Sequence, residues 1–189
     1  MAFPSIYTTE TTTALAARID SLTKETPALW GKMNVGQMLS HCSVPYQQIL
    51  GENTDKPGKL MKWIIKTFLK TSMVNETSYK PNMPTAPTFI RVNQEFDVDA
   101  EKAKLKTYIQ QIQELGPEQL AAKPSLSLGM ITPQEWNNLL YKHIDHHLRQ
   151  FGVWRMFRMK SQHRKVGKFP TIFSPTLFFQ EQITLKFVF

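Results

Sequence analysis

The sequence predicts an all-α fold in which four amphipathic helices form a bundle and one additional basic helix connects two of them. Two observations support this prediction. Apolar residues recur at helical spacing up to about residue 157, and capping residues stand where the helices should begin. A chain of 189 residues, 41% of them hydrophobic, can bury one core. We therefore predict one bundle domain over residues 1–157 and a separate tail over 158–189.

The first two helices have clear apolar faces. The first is predicted over about residues 12–23, and its face consists of Leu15, Ile19 and Leu22. The second begins after Asn34, which can cap it, and Gln37 stands at the reciprocal position of a capping box. Gly51 is expected to end this helix.

The third predicted helix, within "KPGKLMKWIIKTFLKTSM", is basic and amphipathic. Its lysines at helical spacing are Lys59, Lys62, Lys66 and Lys70. Its apolar side consists of Leu60, Ile64 and Phe68. Such helices can lie on membranes, but the same pattern describes a helix that packs its apolar side on a bundle and keeps its lysines in water. We adopt the second interpretation as the expectation.

A connector and a further core helix follow. Three prolines within residues 80–88 predict the connector, which leads into a short extended piece, "FIRVNQEF". Asp99 can cap a helix over about residues 100–115. Gly116 and Pro117 are expected to stop it.

The last helix has the strongest start signal. Thr132 can cap it, Pro133 occupies the first helical position, and Glu135 stands at the capping-box position. We expect this helix to run to about Phe157. The tail at 158–189 is basic and rich in Phe, with a strand-like "QITLKFVF" that has no obvious partner, and we expect it to be disordered or loosely attached.

Charge and cysteine content narrow the class of protein. The net charge is +8, but residues 155–189 alone contain seven Lys or Arg and one acidic residue. The basic character therefore belongs mostly to the tail, and we expect no nucleic-acid binding. A single cysteine, Cys42, excludes an internal disulfide and fits a reducing compartment. Neither a signal peptide nor a transmembrane stretch is evident, so a cytoplasmic location is expected.

The candidate site lies in "YKHIDHHLRQFGVW". His143 and His147 are four residues apart, so they share the inward face of the last helix, whereas His146 points aside. Buried imidazoles need partners, and the same spacing occurs in helical zinc sites. A third ligand would come from the second helix, where His41 and Cys42 are both candidates. A core hydrogen-bond cluster without metal is the alternative.

Two motifs together resemble a known superfamily. "LWGKMNVGQMLSHC" and "EWNNLLYKHIDHHLRQFGV" are similar to the DinB-like superfamily of metal-binding four-helix bundles, in particular a bacterial branch of unassigned function, over roughly residues 7–154. The resemblance implies that His41, His143 and His147 bind a divalent metal, with zinc or nickel expected, and it favours His41 over Cys42. In this chain Lys123 stands where relatives often have a histidine.

The resemblance also implies a chemistry. Superfamily members with assigned activity are thiol-dependent transferases and isomerases. The expectation is therefore a metal-dependent thiol S-transferase or related hydrolase, in which a metal held by three histidines activates a thiol or water for reaction with a small-molecule substrate. A low-molecular-weight thiol would be the cosubstrate, and a homodimer is expected. The alternative is a non-catalytic, metal-stabilised bundle that acts by binding a partner.

Several residues near the histidines are candidates for supporting roles. Gln150 is expected to position a ligand, and Asp145 or Asp20 could orient an imidazole. Arg149 could reach an anionic substrate, but a solvated ion pair with a nearby acid is the preferred interpretation. His146 is expected to form a hydrogen bond at a helix contact.

Overall fold

The computed structural model describes residues 3–82 and 94–154, and within them it is all-helical, which confirms the all-α prediction. The helices are α1 (Thr9–Asp20), α2 (Val35–Leu50), α3 (Lys59–Ile64), a π-helical segment (Ile65–Leu69), α4 (Lys70–Val74), α5 (Val98–Ala121) and α6 (Pro133–Gln150). Among these residues, β-type pairing is limited to one bridge between Ser125 and Gly129. The tail and most of the predicted extended piece lie outside the described residues.

The four longer helices enclose one apolar core. Helix α5 packs against α1, α2 and α6, and α2 also packs against α6. Burial of this apolar surface is the main force that holds the helices together. Side chains buried in this core include Leu15 and Ile19 of α1, Met38 and Leu39 of α2, Leu105, Ile109 and Ile112 of α5, and Leu140, Ile144 and Leu148 of α6.

Two predicted helix starts are present in full. The side chain of Asn34 accepts from the backbone N–H of Gln37, whose side chain accepts in return from the N–H of Asn34. Thr132 and Glu135 form the same reciprocal pair at the start of α6. Each capping box pairs backbone N–H groups that the helix itself leaves without an acceptor.

The starts of α1 and α5 lie earlier than predicted. Helix α1 begins at Thr9 because the hydroxyl of Thr8 caps it, and it ends at Asp20 rather than Thr23. The cap of α5 is Asp97, whose carboxylate accepts from the N–H of Ala100 at 2.7 Å. Asp99, the predicted cap, lies inside the first turn instead.

Glycines determine where α5 bends and where α6 ends. Gly116 has φ 74° and ψ 171°, which are not helical, so a first helical stretch ends before Pro117 as predicted, and a second one continues across this kink to Ala121. Helix α6 ends at Gln150, seven residues before the predicted Phe157, because Gly152 adopts φ 75°. The continued helix would have placed Trp154 on the same inward face as His143 and His147, but Trp154 lies beyond the helix and is 58% exposed.

The basic segment, residues 59–74, contradicts the expectation about its apolar side. Leu60 is 71% exposed and Phe68 is 65% exposed, while Ile65 and Val74 are buried. The side predicted to pack on the bundle therefore faces solvent. One physical reason is the π-helical turn, which places one extra residue in the helix and changes which side chains share a face.

Polar contacts hold the C-terminal end of the basic segment on α6. The ammonium of Lys142, a residue only 1% exposed, donates to the carbonyl oxygens of Ser72 and Asn75 and to Asn75 Oδ1 at 2.8–2.9 Å. It also lies 4.6 Å from the centre of the Tyr79 ring. Burial lowers the pKa of Lys142 to about 8. Asn138 adds a bond to the carbonyl of Val74 at 2.7 Å.

In the described part of the chain, every helix is too short or too polar to cross a bilayer.

Replacing Lys142 by Met should lower the free energy of unfolding by about 1–3 kcal/mol, because buried carbonyl oxygens at Ser72 and Asn75 lose their donor. Urea unfolding followed by circular dichroism measures the loss. Lys104→Met is the matched control, because Lys104 lies on the surface of α5 with its side chain 42% exposed. Equal stability of the two variants would contradict the anchoring role of Lys142.

Candidate metal centre

Two helices bring three histidines together. His41 projects from α2, and His143 and His147 project from adjacent turns of α6. The ring centroids are 4.6 Å apart for His41 and His147, and 4.9 Å apart for each of the other two pairs. His41 and His147 are buried at 4% and 8% exposure, whereas His143 is partly exposed. Two of the three rings are therefore enclosed by the bundle, and the third is partly exposed.

The ring nitrogens face one another. One ligand atom from each histidine can be chosen so that all three lie within 4.8 Å of one another. The Nε2 atoms of His41 and His143 are 2.9 Å apart. At that distance two lone pairs would repel, so either a shared proton or a cation must lie between them. The three side chains could therefore form a metal-binding site.

The protein keeps two of these imidazoles in their neutral form. Burial lowers the pKa of His143 and of His147 well below the ordinary value of 6.5, and the neighbouring histidines lower it further. A neutral imidazole has a free lone pair on one ring nitrogen, which is the form that binds a metal. At neutral pH these two side chains are therefore ready to act as ligands.

Gln150 determines which nitrogen of His147 is available. Its side-chain N–H donates to the carbonyl of Trp30 at 2.7 Å, so its oxygen faces the ring of His147. Nδ1 of His147 lies 2.7 Å from that oxygen and must donate, because the oxygen can only accept. Nδ1 therefore has the proton, and Nε2 of His147 keeps the lone pair.

The loop before α2 is shaped to hold Gln150. The N–H of Leu29 donates to the carbonyl of Gln150 at 2.7 Å, which ties the loop to the end of α6. Gly31 adopts φ 81°, and a Cβ at this position would lie 2.5 Å from the side-chain nitrogen of Gln150. Only glycine therefore allows both the turn and the close approach of the amide to Trp30.

Cys42, the other candidate third ligand, lies in the core. It is fully buried, and its Sγ contacts the sulfur of Met38 at 3.6 Å. Burial raises the pKa of its thiol, which disfavours the thiolate that a metal would need. The structure brings His41, and not Cys42, into the cluster with the two α6 histidines.

His146 belongs to an aromatic group beside the cluster. Its ring forms a hydrogen bond with the backbone of Tyr79 and lies 5.7 Å from the rings of both Trp30 and Tyr79. It also contacts the ring of His147, with centroids 5.1 Å apart. His146 thus points aside from the three histidines and forms the contact expected of it.

The acidic candidates pair with cations. Asp145 Oδ1 lies 2.9 Å from Arg18 Nη1, and Asp145 Oδ2 lies 3.0 Å from Arg149 Nε. Arg149 is therefore an ion-pair partner, as preferred. Asp20 is half-exposed and accepts from Lys106 of α5, so the idea that it orients an imidazole is wrong.

Sequence reasoning missed three residues around the site. Trp30 and Gly31 act through backbone features, a carbonyl and a positive φ, that residue type alone does not reveal. Arg18 links α1 to α6 through Asp145 and also donates to the carbonyl of Val153 at 2.8 Å. A signal was present for Arg18, because a lone arginine near the inward face of α1 predicts a buried acidic partner.

A family model described as "Protein of unknown function (DUF1569)" matches residues 6–153, and the chain belongs to that family. The matched region contains all three clustered histidines. The searches of curated proteins and of solved structures gave no match to this chain.

Gln150→Ala should weaken metal binding by about 10–100-fold, because the His147 ring loses the acceptor that fixes its proton on Nδ1. Competition with a chromophoric chelator measures the affinity for Zn²⁺. Gln110→Ala on the exposed side of α5 is the control and should bind as the unmodified protein does.

Gly31→Ala tests the same contact from the loop. The added methyl would displace the Gln150 amide, so this variant should lose affinity in the same direction as Gln150→Ala. Combining both changes should add little, because they act on one interaction. Full additivity of the two losses would show that Gln150 does not mediate the effect of Gly31.

The stability of the metal-free protein should decrease as the pH falls below about 6.5. The pKa values of His143 and His147 lie below 6.5 in the folded state, so under acidic conditions the unfolded chain binds more protons. Thermal unfolding in the presence of a chelator, between about pH 7.5 and 5, measures this dependence. The double variant His143→Gln/His147→Gln should show a shallower slope, and an unchanged slope would assign the effect to other groups.

Proposed function

We propose that this member of the DUF1569 family binds a divalent metal through His41, His143 and His147 and uses it as a thiol S-transferase or related hydrolase. The observation that carries the proposal is the convergence of three imidazoles from two helices, with Nε2 atoms of His41 and His143 only 2.9 Å apart. A cation relieves the lone-pair repulsion at that distance and gives buried rings a partner.

The ligand set favours zinc or nickel. Three imidazole ligands suit borderline metals, whereas Ca²⁺ and Mg²⁺ prefer oxygen ligands. Within residues 3–82 and 94–154 the cluster contains these histidines and no carboxylate or thiol. The tautomer that Gln150 imposes on His147 directs a lone pair, and not an N–H, toward the metal position.

A site with three protein ligands resembles catalytic rather than closed structural metal sites. Structural zinc is usually held by four side chains, and catalytic zinc by three, with a further position left for water or substrate. The partly exposed His143 marks the side from which a small molecule could enter. When bound, the metal would lower the pKa of a thiol or water and so supply a nucleophile near pH 7.

The residues of the chain would position the reactants. Gln150 holds the ring of His147, and the loop carbonyl of Trp30 holds Gln150. The rings of Trp30, Tyr79 and His146 form an aromatic surface beside His147 that could contact an apolar part of a substrate. The Arg149 guanidinium is engaged by Asp145, so we assign it no part in substrate binding.

The similarity of the two histidine motifs to the DinB-like superfamily supports the thiol as cosubstrate and a homodimer as parts of the same proposal, and the single cysteine supports a cytoplasmic location. The histidine geometry is independent support for the metal alone.

The second candidate function is a metal-stabilised bundle without catalysis. It is favoured by the deep burial of His41 and His147, because a metal there would link α2 to α6 much as a crosslink does. In that case removing the metal lowers the unfolding temperature, and neither thiol binding nor turnover occurs.

Protein purified without a His tag should contain about one metal ion per chain by elemental analysis, and His143→Ala should lose it. His146→Ala is the matched control and should keep the metal, because His146 lies on the same helix and beside His147 but is not one of the three clustered histidines. Absence of metal in the unmodified protein, even after dialysis against zinc and nickel, would overturn the proposal.

Metal-loaded protein then separates the two candidate functions. With Co²⁺ at the site, addition of glutathione, bacillithiol or mycothiol should produce a thiolate-to-cobalt absorption band if a coordination position is open. Consumption of thiol in the presence of a test electrophile measures turnover. A bound metal with neither a new band nor turnover would select the metal-stabilised bundle.

A further inference from the structure

The basic segment, residues 59–74, exposes a cluster of large apolar side chains. Eight such side chains are exposed in the described part of the chain, and five of them belong to this segment. They are Leu60 at 71%, Met61 at 42%, Trp63 at 57%, Phe68 at 65% and Leu69 at 41%. Single exposed apolar residues are ordinary, but a cluster of five on one short segment indicates a binding surface.

The π-helical turn gathers the two aromatic rings. Trp63 and Phe68 are five residues apart, which would place them on different sides of a regular α-helix. The wider turn over Ile65–Leu69 brings them together, with ring centroids 5.9 Å apart and planes at 86°. The pair forms an aromatic ridge on the outer side of the segment.

The charged residues of the segment are all lysines, so its charge is positive. Residues 56–75 contain five lysines and no acidic residue. Four of the lysines recur at spacings of three or four, namely Lys59, Lys62, Lys66 and Lys70, and the last of them pairs with Glu135 of α6. An apolar ridge on a segment with several lysines is complementary to a surface that is apolar inside and negative outside.

The fold holds this surface in place. At its C-terminal end the segment is fixed to α6 by Lys142 and Asn138, and Lys70 pairs with Glu135 at 3.3 Å. Within residues 59–69, Ile65 is the only buried residue. The exposed side chains therefore belong to an anchored helix that presents them outward.

We propose that the basic segment docks on the surface of membranes that contain anionic lipids. Leu60, Trp63 and Phe68 would enter the boundary between headgroups and acyl chains, and Lys59, Lys62 and Lys66 would contact the negative headgroups. Tryptophan favours this boundary because its ring is apolar and its N–H is polar. A protein partner is the less favoured occupant, because the surface is a ridge with charge of one sign and no free backbone edge to pair.

Vesicle flotation tests the proposal on the full-length, metal-loaded protein. The protein should bind vesicles of phosphatidylcholine with about 30% phosphatidylglycerol, and bind at least about tenfold less to phosphatidylcholine alone, because several lysines contribute about fivefold each. Raising the salt from about 0.1 M to 0.5 M should weaken binding by screening. Equal binding to both vesicle types, or none to either, would overturn the proposal.

A matched pair of variants locates the surface. Trp63→Ala should reduce binding strongly, and Trp63→Ala/Phe68→Ala should abolish it. Trp154→Ala should bind as the unmodified protein does, since Trp154 is 58% exposed and Trp63 is 57% exposed. Thermal unfolding checks that each variant is folded. If Trp154→Ala lost binding and Trp63→Ala kept it, the membrane contact would lie elsewhere.

Sedimentation of the same variants in the absence of lipid distinguishes a protein occupant. A change from dimer to monomer in Trp63→Ala/Phe68→Ala, together with unchanged vesicle binding, would identify the ridge as a contact between two copies of the chain and overturn the proposal. An unchanged mass together with lost vesicle binding supports lipid docking. The metal site can be tested separately, because vesicle binding should persist in His143→Ala.

Discussion

Two imidazole nitrogens 2.9 Å apart, on His41 of α2 and His143 of α6, impose the constraint on which the rest of the site depends. Both cannot direct a lone pair at the other, so a proton or a cation must lie between them. Burial disfavours the charged imidazolium at His143 and His147, so a proton between the two rings would be the N–H of a neutral imidazole. The three side chains could therefore hold a cation, which would take the place of that proton between the rings.

Residues outside the histidine cluster hold the ring of His147 in its orientation. A backbone carbonyl of Trp30 orients Gln150, and Gln150 in turn fixes the proton of His147 on Nδ1. Gly31 makes room for the amide, since any Cβ there would collide with it. The short loop before α2 thus positions a side chain of α6. In its "LWG" sequence, Trp30 provides the carbonyl that holds Gln150, and Gly31 provides the positive φ of the turn.

The sequence was most informative where one local rule determines the outcome. Asn34 and Thr132 start helices because their side chains cap them, and the spacing of His143 and His147 places both on one face. It was less informative where tertiary contacts decide. Asp97 and Asp99 are equal as caps by residue type, and Asp20 became a surface ion pair because Lys106 of α5 lies beside it. That Gln150 reaches a backbone carbonyl of Trp30, 120 residues earlier, could not be read from spacing.

The sequence predicted the basic segment least well, because its pattern of apolar residues and lysines fits two structures. Apolar residues beside lysines at helical spacing describe a helix with its apolar side in the core, or a helix with that side exposed. What selects the second solution is α6: Asn138 and Lys142 hold the end of the segment by its backbone carbonyls, so the core receives Val74 and Ile65 rather than Leu60 and Phe68. Helix α6 thus directs His143, His147 and Gln150 toward the histidine cluster. Through Asn138 and Lys142 it also holds the basic segment, whose aromatic ridge faces outward. Both surfaces are therefore positioned by α6, although each has its own chemistry.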